Sequence, residues 1–146
     1  MKNNYLVTGP VTPEMISGIL ESLGKNTSSG GHSVFIGQVR ADSAGGKKVT
    51  AIEYSAYDVM VKAEADRIVD MLYASFPDVK TVRIIHSVGV VTAGRISLFV
   101  LVSAGHRRQA IEACREAVEL IKEKLPVWKK EIFEDNTHEW KDNNPS

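Results

Sequence analysis

The sequence predicts an α+β fold in two layers, a sheet packed on helices. Three observations carry that expectation: apolar residues recur at helical spacing in three separate stretches, short β-branched and aromatic runs lie between them, and those runs come in pairs. The chain has 146 residues, of which 43% are hydrophobic, enough for the core of one domain spanning 1–146 with a polar tail at 141–146.

Tyr5–Thr8 reads as a short first strand. Thr12 then supplies a helix N-cap and Pro13 the first helical position, with Met15, Ile16, Ile19, Leu20 and Leu23 as a buried stripe ending near Gly24. His32–Val39 and Val49–Tyr57 are the next two strands, separated by a glycine-rich loop, 41–48, long for a turn and suited to movement. A second helix is expected from about Val59 to Phe76, on Met60, Ala65, Ile68, Val69, Leu72 and Phe76, before "FPD" stops it.

Val79–His86 and Ile96–Ser103 follow as strands, with "GVVTAG" turning the chain between them. The second of the pair is almost wholly apolar and is expected at the centre of the sheet. The third helix runs from near His106 to about Leu125 on a face of Ala110, Cys114, Ala117, Val118, Ile121 and Leu125, closed by Pro126. A last short strand is expected at Lys130–Phe133.

Composition narrows the function. Eighteen Lys and Arg balance eighteen Asp and Glu, so no overall field draws in nucleic acid, although cations can still cluster locally. One cysteine and four scattered histidines do not make a multi-thiolate metal site or a disulfide, so a reducing compartment is the simpler expectation. Neither a secretory signal nor a run of 18 apolar residues is present, which leads to the expectation of a cytoplasmic protein that neither spans a membrane nor binds nucleic acid. Both the dinucleotide glycine fingerprint and the phosphate-binding P-loop are missing.

Three places carry candidate chemistry. In "SAGHRRQA", 103–110, a strand hands over to a helix whose first amides, with His106, Arg107 and Arg108, suit a phosphate or carboxylate. In "KEKLPVWKKE", 122–131, Lys122 lies at the margin of the apolar stripe and Trp128 anchors Lys129, a setting that can lower a lysine's pKa. Arg40 ends an apolar strand and offers a donor fork to a planar oxyanion. Cys114 reads as core, His32, His86 and His138 as structural or solvent-facing, and Glu131 with Glu134 as a weak acid/base pair.

His106 and Lys122 are 16 residues apart, about 24 Å along one continuous helix, too far for one small ligand to touch both in one copy. A symmetric dimer would bring the two ends together. If both residues are functional, a homodimer follows.

The ordered set "VFIGQVR" at 34–40, "VTAIEYSAYDVM" at 49–60, "IIHSVG" at 84–89, "HRRQAIEACREAVELIKEKLPVWKKE" at 106–131 and the closing Trp140 resembles the large, catalytic subunit of molybdopterin synthase over roughly residues 5–140. That resemblance implies an α/β hammerhead-type fold with a mixed and antiparallel sheet and three main helices. It also implies a central homodimer carrying a small ubiquitin-like sulfur-carrier subunit at each end, a heterotetramer. The implied reaction passes sulfur from the carrier's C-terminal thiocarboxylate to cyclic pyranopterin monophosphate, with no cofactor and no metal.

By the same resemblance Arg40, His106, Arg107, Lys122 and Lys129 are site residues, with Gln38 and Val39 beside Arg40, and Lys130 and Glu131 beside Lys129. His106 and Arg107 would come from the neighbouring subunit, Lys122 would serve sulfur transfer and Lys129 substrate activation. Ser87 stands where the family commonly has arginine after the histidine, a charge that Arg83 or Arg95 could supply.

Overall fold

The computed structural model describes residues 4–141. In chain order the elements are β1 (Leu6–Thr8), α1 (Pro13–Ser22), β2 (Gly31–Gln38), β3 (Ser43–Ala44), β4 (Lys47–Ala56), α2 (Asp58–Ser75), β5 (Val79–Thr92), β6 (Ile96–Ala104), α3 (Arg107–Lys124), β7 (Val127–Phe133) and β8 (His138–Lys141), with a 3-10 turn at Leu23–Lys25. The sheet runs β2-β6-β5-β4-β7-β8, β3 pairs with β4, and β1 joins β5 as its one parallel neighbour. The expected two-layer mixed sheet with three helices is the fold.

α2 and α3 cover one face of this sheet. Val61, Ala65, Ile68 and Leu72 of α2 and Ala113, Ala117 and Ile121 of α3 close on Val82, Ile84, Leu98, Val100 and Val102 of β5 and β6. α1 covers part of the opposite face with a smaller cluster of Val11, Ile19, Ile85, Phe99 and Leu101. β6 is buried along Ser97–Ala104 because both its faces are covered and both its edges paired, as its apolar run predicts.

Several expectations change. In α1 only Ile19 is buried, while Met15 and Leu20 of the expected stripe face solvent. In α2 the buried row is set by Val61, and Met60 is half exposed. Strand β5 continues through "GVVT" to Thr92, because Gly89 at φ +82° bends it: Val79–His86 pairs with β6 and Gly89–Thr92 with β4. The loop 41–48 holds a tight hairpin, β3 to β4, turned by Gly45 and Gly46 at φ +58° and +79°. β7 begins at Val127, three residues before the expected strand, and β8 has no counterpart among the expected strands. Lys141 of the expected polar tail ends β8, and residues 142–146 lie outside the described residues.

β2 is an edge strand whose Val34, Phe35 and Ile36 are exposed at 41%, 37% and 47%. A run that reads as core in the sequence is uncovered in a single copy of the chain.

Candidate functional site

α3 is continuous from Arg107 to Lys124, so it holds its two candidate clusters at opposite ends.

At the C-terminal end Lys122 is half-buried, and burial pushes its pKa below the ordinary lysine value. Lys129, on β7, is lowered as well, first by burial and then by the positive charges of Lys122 and Lys141, with Glu131 opposing. The charge of Lys122 acting on Lys129 places the two ammonium groups within electrostatic reach although they come from different elements. Pro126 ends the helix and returns the chain as a strand, which carries Lys129 back toward Lys122.

His86 belongs to this cluster. It is buried on β5, its ring meets the Tyr54 ring edge-on at 5.1 Å, and burial together with the charges of Lys122 and Lys129 takes its pKa down to about 4. Its Nδ1 donates to the Ser87 carbonyl at 2.8 Å, because a carbonyl only accepts. Nε2 is therefore the ring's acceptor. Tyr54, opposite Lys129 across β4 and β7, donates from its hydroxyl to Ser97 Oγ at 3.0 Å, and burial raises its pKa while the bond to Ser97 lowers it. Tyr54 and Ser97 are not among the candidates the sequence offers, and His86 reads there as structural or solvent-facing. Strand alternation in "IEYSAY" was the available signal for an inward tyrosine.

Alternation also divides the run after Trp128. Lys129 and Glu131 share the face of the buried Val127 and Phe133, and Glu131 is itself buried, 3.8 Å from Lys141 Nζ. Lys130 takes the other face, where it meets Glu53 Oε1 at 3.2 Å and lies 5.3 Å from the Trp140 ring centre. The three residues expected to line one pocket are thus split by the sheet. Ser87, by the same rule, sits on the face of Ile85 and not that of His86, so an arginine there would not face the lysines. Its buried hydroxyl has no hydrogen-bond partner among the described residues.

Arg40 is paired with Asp42 at 2.7 Å and is 78% exposed. Gln38 is exposed, whereas the Val39 side chain is in the core and only its backbone is engaged at the rim, accepting from Gly94 and donating to Arg95.

At the N-terminal end of α3 one amide of the helix start, that of the N-cap His106, is already taken. Asp78 Oδ2 accepts from the His106 backbone N–H at 2.8 Å and from its Nδ1 at 3.2 Å. A carboxylate of the chain itself thus takes the leading amide, leaving the side chains of His106, Arg107 and Arg108 around the rest of the helix start. His106 and Arg107 are exposed, and Arg108 pairs with Glu112 at 3.3 Å.

Cys114 is buried and its thiol pKa is raised by burial, in keeping with the core reading. His32 Nδ1 lies 2.6 Å from Ser103 Oγ. Glu134 holds the hairpin, exchanging bonds with the Lys48 backbone at 2.9 and 3.4 Å. Among the described residues no group of three or more His, Cys, Asp and Glu is placed to hold a metal ion, and no helix is long and apolar enough to cross a membrane.

Taken together, the C-terminal cluster can bind an anion between two lysines and move protons through amines of lowered basicity and a neutral imidazole. Clefts of about 490 Å³ near the end of α1 and about 390 Å³ beside Trp128 are lined by other residues.

Comparison with known proteins gives a consistent set of likenesses. The family described as MoaE protein matches residues 11–124. The chain is 43% identical over 117 residues to the molybdopterin synthase catalytic subunit of Drosophila grimshawi, covering 80% of this chain and 32% of that protein. It is 37% identical over 128 residues to molybdopterin synthase catalytic subunit 1 of Aedes aegypti, covering 86% and 82%. The chain spans about a third of the length of the Drosophila relatives it matches. Among solved structures, molybdopterin synthase from Staphylococcus aureus superposes with a TM-score of 0.84 at 32% identity, over 97% of this chain and 98% of that one. A complex of subunits 1 and 2 of molybdopterin-converting factor from Helicobacter pylori shares the fold, with a TM-score of 0.79 at 18% identity, over 93% and 88%.

Proposed function

Because the chain belongs to the MoaE protein family, we propose that it is a molybdopterin synthase catalytic subunit, a sulfurtransferase acting on cyclic pyranopterin monophosphate. The sulfur donor is the C-terminal thiocarboxylate of a small ubiquitin-like carrier. The observation that carries this reading is the pair Lys122 and Lys129, both desolvated and within electrostatic reach of each other beside a neutral His86.

The thiocarboxylate is an anion whose sulfur is the nucleophile. It forms a bond to a precursor carbon as a carbon–oxygen bond at that carbon breaks, the departing oxygen taking up a proton. Water then cleaves the acyl–sulfur bond, so that the carrier departs as a carboxylate and sulfur stays on the precursor as a thiolate. Two such transfers give the dithiolene. Negative charge develops on the carbonyl oxygen when water adds, and Lys122 lies in the role of stabilising it. Lys129 supplies or accepts a proton at the precursor, which a lowered basicity favours. No oxidation occurs in either step.

Two copies of the chain complete the site. One copy keeps His106 and Lys122 about 24 Å apart along α3, so the His106 and Arg107 that bind the precursor's phosphate come from the neighbouring copy. Exposed Val34, Phe35 and Ile36 on the β2 edge are apolar surface that a second copy can cover.

The test combines purified chain, thiocarboxylated carrier and precursor, with molybdopterin followed by mass spectrometry. Product is expected with the unaltered chain and its loss with Lys122→Ala. Full activity in that variant would overturn the role of Lys122, and no product from the unaltered chain would favour a non-catalytic scaffold subunit.

A further inference from the structure

Asp78 belongs to the "FPD" stretch that ends α2, a segment whose sequence role is to stop a helix. The fold gives it a second set of contacts at the start of α3, 28 residues later. Its Oδ2 accepts from both the backbone N–H and Nδ1 of His106, at 2.8 and 3.2 Å. In return its own backbone N–H donates to Gln109 Oε1 at 2.9 Å, and its carbonyl accepts from Gly105 N at 3.1 Å. Four bonds thus tie one residue of the α2–β5 connection to Gly105, His106 and Gln109. Gly105 is required by this arrangement, since a Cβ there would stand 2.5 Å from Asp78 Oδ1.

The bonding has a chemical consequence for the ring. A carboxylate only accepts, so Nδ1 carries the hydrogen and the neutral imidazole is held as the Nδ1–H tautomer. Nε2 is then the free nitrogen. The His106 side chain is 89% exposed, whereas that of Asp78 is 25% exposed, so the ring is anchored at its inner nitrogen and open at its outer one. Arg107 follows at the first helical position, directly against Gly31 of β2, and is turned by the same backbone.

We propose that Asp78 is a positioning residue for His106: it fixes the tautomer and direction of the imidazole so that Nε2 is presented outward, to the precursor bound on a second copy of the chain. The second half of this statement rests on the proposed function, and the first does not. Asp78 touches no reacting atom. Its own carboxyl responds to the contact: partial desolvation works against its charged form, but the bonds from His106 and the charge of Lys80 hold its pKa below the ordinary aspartate value.

The experiment uses the full chain with Asp78→Ala and Asp78→Asn. Long-range nitrogen–proton correlation spectra of the imidazole report the tautomer directly. The unaltered chain is expected to show neutral His106 as Nδ1–H, Asp78→Ala to lose that preference, and Asp78→Asn, whose amide oxygen still accepts, to keep most of it. In turnover with carrier and precursor, Asp78→Ala is expected to raise KM for the precursor about fivefold or more with kcat within about twofold, and to add nothing in a His106→Ala background. An unchanged tautomer in folded Asp78→Ala overturns the proposal, and so does a KM effect of equal size with and without His106, which would mark Asp78 as structural. If the unaltered chain forms no product, the proposed function fails and the imidazole spectra still decide whether Asp78 orients His106.

Discussion

His86 shows how a residue acquires its chemistry from its surroundings. In an unfolded chain it titrates near 6.5, and in the fold near 4. The unfolded state therefore binds the extra proton between those values, so the stability His86 contributes is complete above about pH 6.5 and is lost as pH falls through 4. At about 1.36 kcal/mol per unit the loss amounts to roughly 3 kcal/mol. We expect the urea midpoint to fall steadily from pH 7 to pH 4 and the slope to flatten in His86→Gln. The lowered carboxyls of Asp66, Asp78 and Asp135 act in a different window, below their ordinary value of 3.8.

Lys122 presents the opposite balance. Burial disfavours its charge, so the fold gains nothing from keeping it cationic. Lys122→Met, close in length and apolar, is expected to leave the thermal midpoint unchanged or raised while product formation falls by about 100-fold or more. A variant that lost stability and activity together would instead make Lys122 a structural residue.

Among the elements, α3 depends on what meets each of its ends. At its start the helix is capped from outside by Asp78, at a position where Gly105 leaves room for the carboxylate. Gly105→Ala must displace that carboxylate, losing the cap and crowding the turn, at a cost of about 1–3 kcal/mol. Denaturant unfolding reads the loss, and the His106 tautomer should scramble in the same variant. α1 has its own cap, Thr12 Oγ1 accepting from Met15 N at 3.2 Å. The strands show a different control: in β7 the period of two sends Lys129 inward and Lys130 to Glu53 and Trp140, so neighbours in sequence work on different faces.

For the whole molecule the decisive question is whether a site is shared between copies. If it is, mixing the Lys122→Ala and His106→Ala chains under conditions of exchange gives mixed dimers with one intact site each. Half of the dimers are then mixed, so activity should return to about a quarter of the unaltered level. A mixture no more active than the two impaired chains measured separately would place both residues in separate, unshared roles. Ile36→Asp on the β2 edge should keep the fold, since Ile36 is 47% exposed, yet shift the sedimentation of the chain toward the monomer and remove activity with it.

Much of this was legible in the residue order. Helical spacing, the Thr12-Pro13 start, Pro126 and the apolar β6 run specify three helices and a buried central strand, because those signals act through local backbone geometry and period. The spacing of His106 and Lys122 on one helix likewise needs no fold to measure it. What the order could not supply is anything that depends on which face meets which neighbour. Exposed Phe35 and buried Phe99 are alike as letters and differ because β2 is an edge strand and β6 is not. The partnership of Asp78 with His106, the gathering of His86, Lys122 and Lys129, and the separation of Lys130 from Lys129 all arise from contacts between residues distant in the chain or from the face of a sheet. Burial and charge at those meeting points set the pKa values, and both are properties of packed space rather than of sequence.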